Sequence, residues 1–206
     1  MSIQLYLAFV LASVILILIP GPNVSLIVAN SLSYGARYAL VTVAGTSSAM
    51  VVQLTLTVLG MTSAMLVLAA WFDWLRWIGV AYLLWLGVAH WLKAPAPLAL
   101  VAPPRGAAWR MYWQGFLVSL TNPKTLFFYA AFLPQFVDPT APLMPQLVLL
   151  SASFLALAIV LDGAWCLGAA RLRPLLRTQA LMRLRNRVTG TLLIASGLGL
   201  ALARRQ

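Results

Sequence analysis

From Ile3 to Ile19 every residue except Gln4 and Ser13 is apolar; Pro20-Gly21-Pro22-Asn23 interrupts the run, and Leu26-Ile27-Val28-Ala29 resumes it. A membrane-spanning helix needs about 20 apolar residues, so the pattern predicts a first span over 3–31, broken in its middle. Each proline removes a backbone donor and clashes with the preceding turn, and the glycine adds backbone freedom. Bare backbone in hydrocarbon is costly, so a break of this kind is expected only where protein or a watery cavity surrounds it. After a short loop at Tyr34-Gly35-Ala36-Arg37, residues 38–70 carry no charge and are too long for one untilted helix. They predict a second span over 40–66, a turn before Trp71-Phe72-Asp73-Trp74, and a third span over 75–91. The tryptophans of that turn suit the headgroup level.

Between 93 and 112 the pattern stops, and Pro95, Pro97, Pro103, Pro104 and Gly106 keep the chain out of helix. A linker over 93–112 is expected, dividing the chain into halves 1–92 and 113–206. A fourth span over 111–132 follows, interrupted at Asn122-Pro123-Lys124. A loop over 134–145 leads to a fifth span over 146–170, which carries Asp162 in its second half. An arginine-rich loop then precedes a sixth span over 188–203. There Gly190 and Gly197, seven apart, share a helix face and would let a neighbouring helix approach closely. The expected fold is an all-α integral membrane protein of six transmembrane helices, arranged as two inverted three-helix repeats. An odd number of spans per half turns the second half over, and the first helix of each half is broken by proline. Matched broken helices point to a transporter site near the membrane midplane.

Composition agrees with the pattern: 63% of residues are hydrophobic and 8% charged, against about 25% charged in a soluble domain. No basic segment or small-residue cleavage pattern marks a secretory signal before Pro-Gly-Pro, so the first helix is read as retained. The net charge of +11 would suit nucleic acid, but six of the twelve arginines lie between Arg171 and Arg187, beside spans. Cytoplasmic loops concentrate Lys and Arg, which accounts for them. The loops after spans one, three and five hold ten basic residues and the opposite side three, which places both termini outside the cytoplasm. Membrane lipids are the expected partners of the arginines, and nucleic acid is not. Cys166 is alone, so no internal disulfide forms, and one histidine with one cysteine cannot assemble a His/Cys metal cluster. There is no phosphate-binding glycine loop for ATP-driven pumping. Neither a cofactor, a metal nor a catalytic residue is expected, and the chain does not read as an enzyme.

The candidate site gathers Pro20, Gly21, Pro22 and Asn23 from the first break with Asn122, Pro123 and Lys124 from the second. A helix restarting after proline offers free N–H groups and partial positive charge, which suit a carboxylate. The carbonyls left before each break suit an ammonium group or a cation, and an amino-acid zwitterion needs both kinds of partner. Ser47 and Gln53, with Thr46 and Ser48, are candidate lining residues on span two, as are Gln114 and Thr121 on span four. Helix–helix hydrogen bonding explains these six equally well. Lys124 and Asp162 are charges inside spans. An isolated charge there costs about 2.5–3.5 kcal/mol, so both are assigned to ion or proton coupling. In that reading Lys124 stands near the substrate carboxylate while Asp162 takes the amine or cycles a proton. The opposing readings are a structural partner for Asp162, such as Trp165, and snorkelling of Lys124 to the headgroups. His90, beside Trp91 and Lys93, reads as interfacial.

Ile19-Pro20-Gly21-Pro22-Asn23, the stretch Gly79-Val80-Ala81-Tyr82-Leu83-Leu84-Trp85-Leu86-Gly87, Gln114-Gly115-Phe116 with Asn122-Pro123-Lys124, and Phe132-Leu133-Pro134-Gln135-Phe136-Val137 occur in that order. Together they resemble the lysine exporter / homoserine-threonine resistance (LysE/RhtB) family over almost the whole chain. The resemblance implies a six-span bacterial inner-membrane exporter of amino acids or their derivatives, driven by the proton gradient or membrane potential. Where relatives often have glycine, sometimes followed by an acid, this chain has Ser48-Ala49-Met50. The missing acid favours small neutral substrates of the homoserine, threonine or leucine type over a dibasic one. A homodimer is the association expected of small spans of this kind. The competing classes are a passive channel, a non-transporting membrane subunit and, further off, an intramembrane enzyme.

Overall fold

Proline at 20 and 22 ends one helix and begins another. α1 (Ile3–Leu18) runs into an extended Ile19, and α2 (Pro22–Tyr34) opens with Pro22 in its first turn, where a missing N–H removes no intrahelical bond. The two axes are bent by 51°. The computed structural model describes residues 1–60, 65–92, 106–172 and 179–202, all helices and connections with no strand among the described residues.

α1 is apolar all round, as a helix between protein and lipid must be. Phe9, Ser13 and Ile17 face inward, while Leu7, Leu11, Ile15 and Leu18 are exposed. Gly35 alone separates α2 from α3 (Ala36–Leu59), at φ 85°, a left-handed conformation that favours glycine. The four-residue loop expected here is therefore a single residue. α4 (Met65–Leu92) begins earlier than expected and carries helix through Trp71-Phe72-Asp73-Trp74, where a turn was expected. No glycine or proline lies between Met65 and Ile78 to interrupt it. Most of the expected linker, 93–105, lies outside the described residues, but its last six residues are the start of α5 (Ala107–Leu120), entered through Gly106 at φ 78°.

After the second break come α6 (Pro123–Phe127), a wide π-turn at Phe128–Phe132 and a 3₁₀ turn at Leu133–Phe136. The expected loop over 134–145 thus shrinks to the residues between Phe136 and Leu143, where the Asp138 carboxylate accepts from Thr140 N and Oγ1. Those bonds hold Asp138 below the ordinary carboxylate range. α7 (Leu143–Leu172) and α8 (Gln179–Leu202) complete the chain. α8 starts well before 188, so Arg183 and Arg187 stand on a helix rather than in a loop. Its leucines and the absence of proline past 178 carry the helix through the arginines.

Among the described residues α3 and α7 are each long and apolar enough to cross a membrane, and the bent pair α1–α2 has that length and composition when taken together, as a broken span or a re-entrant segment. α3 packs most extensively on α5, and α4 on α8, both at glycines. A Cβ on Gly45 would run into the Tyr112 carbonyl oxygen, and one on Gly115 into the Thr42 backbone. A Cβ on Gly87 would lie 2.6 Å from Ile194 Cγ1 and 2.9 Å from the Gly190 carbonyl, so the close approach read from Gly190 exists. The surroundings of Gly197 lie outside the described residues. Gly45→Val is expected to lower the melting temperature in detergent by several degrees, the scale of about 1–3 kcal/mol for overpacking. Tryptophan fluorescence during heating checks it, and an unchanged melt would mean that α3 and α5 are not pressed together there.

One apolar cluster joins α1, α3, the π-turn, the 3₁₀ turn and α7 through Phe9, Leu54, Phe128, Leu133, Leu150 and Phe154. Within it Phe128 stacks on Phe154 with centroids 5.2 Å apart. A second joins α2, α4, α5 and α8 through Leu26, Leu83, Val118 and Leu193.

Candidate functional site

An α-helical carbonyl is normally satisfied by the N–H four residues on. For Leu16 that residue is Pro20, and for Ser119 it is Pro123, so each break strips a carbonyl of its ordinary donor. Each of these carbonyls receives a side chain from beyond the linker, and Ser119 O also accepts from Asn122 N at 3.1 Å. Lys124 Nζ donates to Leu16 O at 2.9 Å and to Ile19 O at 2.7 Å. Gln53 Nε2 donates to Ser119 O at 2.9 Å and to Leu120 O at 3.0 Å. Leu120 O is available because its own fourth neighbour, Lys124 N, turns to cap on Asn122 Oδ1 at 3.1 Å.

The two breaks also hold each other directly. Asn122 Nδ2 donates to Asn23 Oδ1 at 3.1 Å, and Asn23 Nδ2 donates to Ser119 Oγ at 3.1 Å. Asn23 is 5% exposed and Asn122 fully buried, so this amide pair is an interior joint. Gly21 is extended (φ −135°, ψ −166°), a conformation open to any residue. Its role is space: a Cβ there would lie 3.2 Å from Lys124 Nζ and 3.3 Å from Lys124 Cε. The freedom expected of Gly21 is thus not what the fold uses; the lysine stem passing over it is.

The expected site residues therefore divide. Gly21, Pro22, Asn23, Gln53, Asn122, Pro123 and Lys124 come together at the meeting of the breaks, whereas Pro20 is exposed. Ser47 is half-buried on α3, and no contact shown ties it to the breaks. Thr46, Ser48 and Thr121 bond back to carbonyls of their own helices, at Val43, Ala44 and Leu117. His90 does the same at Leu86 O. Cys166 is buried, and its Sγ donates to Ala36 O at 3.6 Å.

Asp162 lies on the inward stripe of α7 with Leu150, Phe154, Ala158 and Cys166, and is 2% exposed. It is within electrostatic reach of Lys124 and of Tyr129, yet forms no ion pair with Lys124. Its Oδ2 is buried without a hydrogen-bond partner, as are Trp165 Nε1 and Tyr129 Oη, so Trp165 does not satisfy it. The Lys124 side chain turns to the carbonyls of Leu16 and Ile19. Two residues of the site are absent from the set expected of the sequence. Ser119 lies four residues ahead of Pro123, a spacing that marks the carbonyl it frees; Tyr129 sits in an aromatic run that carries no polar signal.

Comparison with known proteins gives the family. The LysE type translocator family matches residues 14–204. A protein of Vibrio cholerae described as an uncharacterized membrane protein is 32% identical over 99% of this chain and all of its own length. The homoserine/homoserine lactone efflux protein of Salmonella typhimurium is 28% identical over 99% of both chains. The leucine efflux protein of Salmonella choleraesuis is 28% identical over 66% of this chain and 65% of its own. No solved structure matches. With the match covering nearly its whole length, this membrane protein belongs to the LysE type translocator family.

Proposed function

We propose that the protein is a secondary exporter that moves small neutral amino acids or their derivatives out of the cytoplasm by alternating access, coupled to protons. The observation that carries this reading is the joint between the breaks: Lys124 reaches the carbonyls of Leu16 and Ile19, and Asn122 the amide of Asn23. A zwitterion entering there meets carbonyls on one side. On the other it meets the first turn of α2, whose N–H groups have no side-chain cap. Asp162 is the proton carrier and Lys124 the cation within its electrostatic reach. The architecture proposed is six spans in two inverted halves, 1–92 and 113–206, with both termini outside a bacterial inner membrane. The packing of α3 on α5 and of α7 on α1 and α2 supports it, because each is the second crossing segment of one half against the broken segment of the other. Lipid headgroups hold the arginines near α8, and two copies associate. The efflux proteins among its relatives favour homoserine-like and leucine-like substrates.

The test is efflux of labelled homoserine, threonine, leucine and lysine from proteoliposomes with and without an imposed pH gradient. The expected result is saturable efflux of a neutral amino acid that accelerates with the gradient, and little efflux of lysine. A non-saturating leak indifferent to the gradient would make the protein a channel.

A further inference from the structure

The Lys124 ammonium already does what an incoming amine would do at this place. Its two contacts, 2.7 Å to Ile19 O and 2.9 Å to Leu16 O, have the length of charge-assisted hydrogen bonds. One of the two acceptors is the carbonyl deprived of a donor by Pro20, and both lie at the negative end of α1. Gly21 clears the path of the lysine stem, since any Cβ there would press on Nζ and Cε. An ammonium carries three donors and two are spoken for. Asp162, the nearby carboxylate, has an oxygen without a partner and makes no ion pair with the lysine where it stands.

We propose that the carbonyls of Leu16 and Ile19 form an ammonium-binding site held by Lys124 as a tethered plug, and that the exported molecule's amino group displaces it. This rests on the exporter reading for the second clause only; the site itself does not. The displaced lysine has a destination in Asp162, so the exchange leaves no cation unpaired in the membrane interior. Substrates are then primary amines. An N-acetylated amino acid has no ammonium to offer and is not exported, whatever its side chain.

The experiment uses the full-length protein purified in detergent, with Lys124→Ala. This variant should melt below the wild type. Ethylammonium, which reproduces the end of the missing side chain, should raise its melting temperature by about 3–5 °C at ten times its dissociation constant. Tetramethylammonium and sodium at equal concentration should not, because the first has no N–H to donate and the second lacks the matching geometry. The wild type should respond far less to ethylammonium at the same concentration, because its tethered lysine competes for the carbonyls and ethylammonium brings none of an amino acid's other contacts. Where Lys124→Ala fails to fold, Lys124→Met keeps the apolar stem packed, and ammonium ion is the probe. An equal shift with all three cations, or none with any, overturns the plug. That failure is separable from failure of the exporter reading. Saturable efflux by wild type without an ammonium-specific shift removes the plug alone, and the shift without any efflux removes the exporter alone.

Discussion

Asp162→Asn protein is expected to insert and melt like the wild type, or slightly higher, while proton-coupled export falls by about 100-fold or more, the scale for loss of a positioned proton carrier. The amide keeps the size of the carboxyl and removes a charge whose Oδ2 has no hydrogen-bond partner at 2% exposure. Nothing in the packing of α7 depends on that charge: Leu150, Phe154, Ala158 and Cys166 continue the same inward stripe. A structural role makes the opposite forecast, with a lowered melt and gradient-driven efflux retained. Measuring both on one preparation separates the two. Efflux down the substrate's own gradient, with no pH difference, should survive in part, because Asp162 is assigned to coupling rather than to the carbonyl site.

The second large effect falls on the joint itself. Asn122→Ala removes the donor to Asn23 Oδ1 and the cap on Lys124 N together. It leaves a buried acceptor bare, at about 1–3 kcal/mol, which for a chain of this length is a drop of several degrees in melting temperature. Asn23→Ala loses the same amide contact and in addition strands Ser119 Oγ. Because both changes break one shared bond, the double variant should be less destabilised than the two losses combined, by about 0.6 kcal/mol and at most about 1.7. Melting curves of the four proteins measure the difference. Full additivity would mean that the two amides act independently and that the breaks are not joined through them. Transport should fall in each single variant, since the half-helix ends lose their mutual alignment.

Much of this site is legible in the order of residues along the chain. Proline cannot hide inside an apolar run, so both breaks stand out, and so do the two charges in apolar segments. What stays hidden is who satisfies whom. Gln53 looks like one of several polar residues on its span, no different from Ser47 or Thr46, because a helical period does not tell which polar residue meets a neighbour's missing donor. Its reach to Ser119 O and Leu120 O depends on how α3 crosses α5, and Gly45 and Gly115 set that crossing. The expectation that the broken ends offer bare carbonyls misjudges the same point: the carbonyls are real, but buried polar groups find partners. The early start of α8 and the helical Trp71–Trp74 region differ from expectation for a simpler reason. Charges and tryptophans mark where a chain meets the headgroups, and a helix can continue through that layer.

The reciprocal capping has a consequence for biogenesis. While a ribosome is still feeding out the linker, α1 is already inserted, yet the lysine that will quiet its last turn has not been made. The nascent chain must therefore hold a polar, unfinished helix end in lipid until residue 124 arrives. The early crossing segments become a settled structure only when the late ones join them, so synthesis halted midway leaves a product ripe for proteolysis.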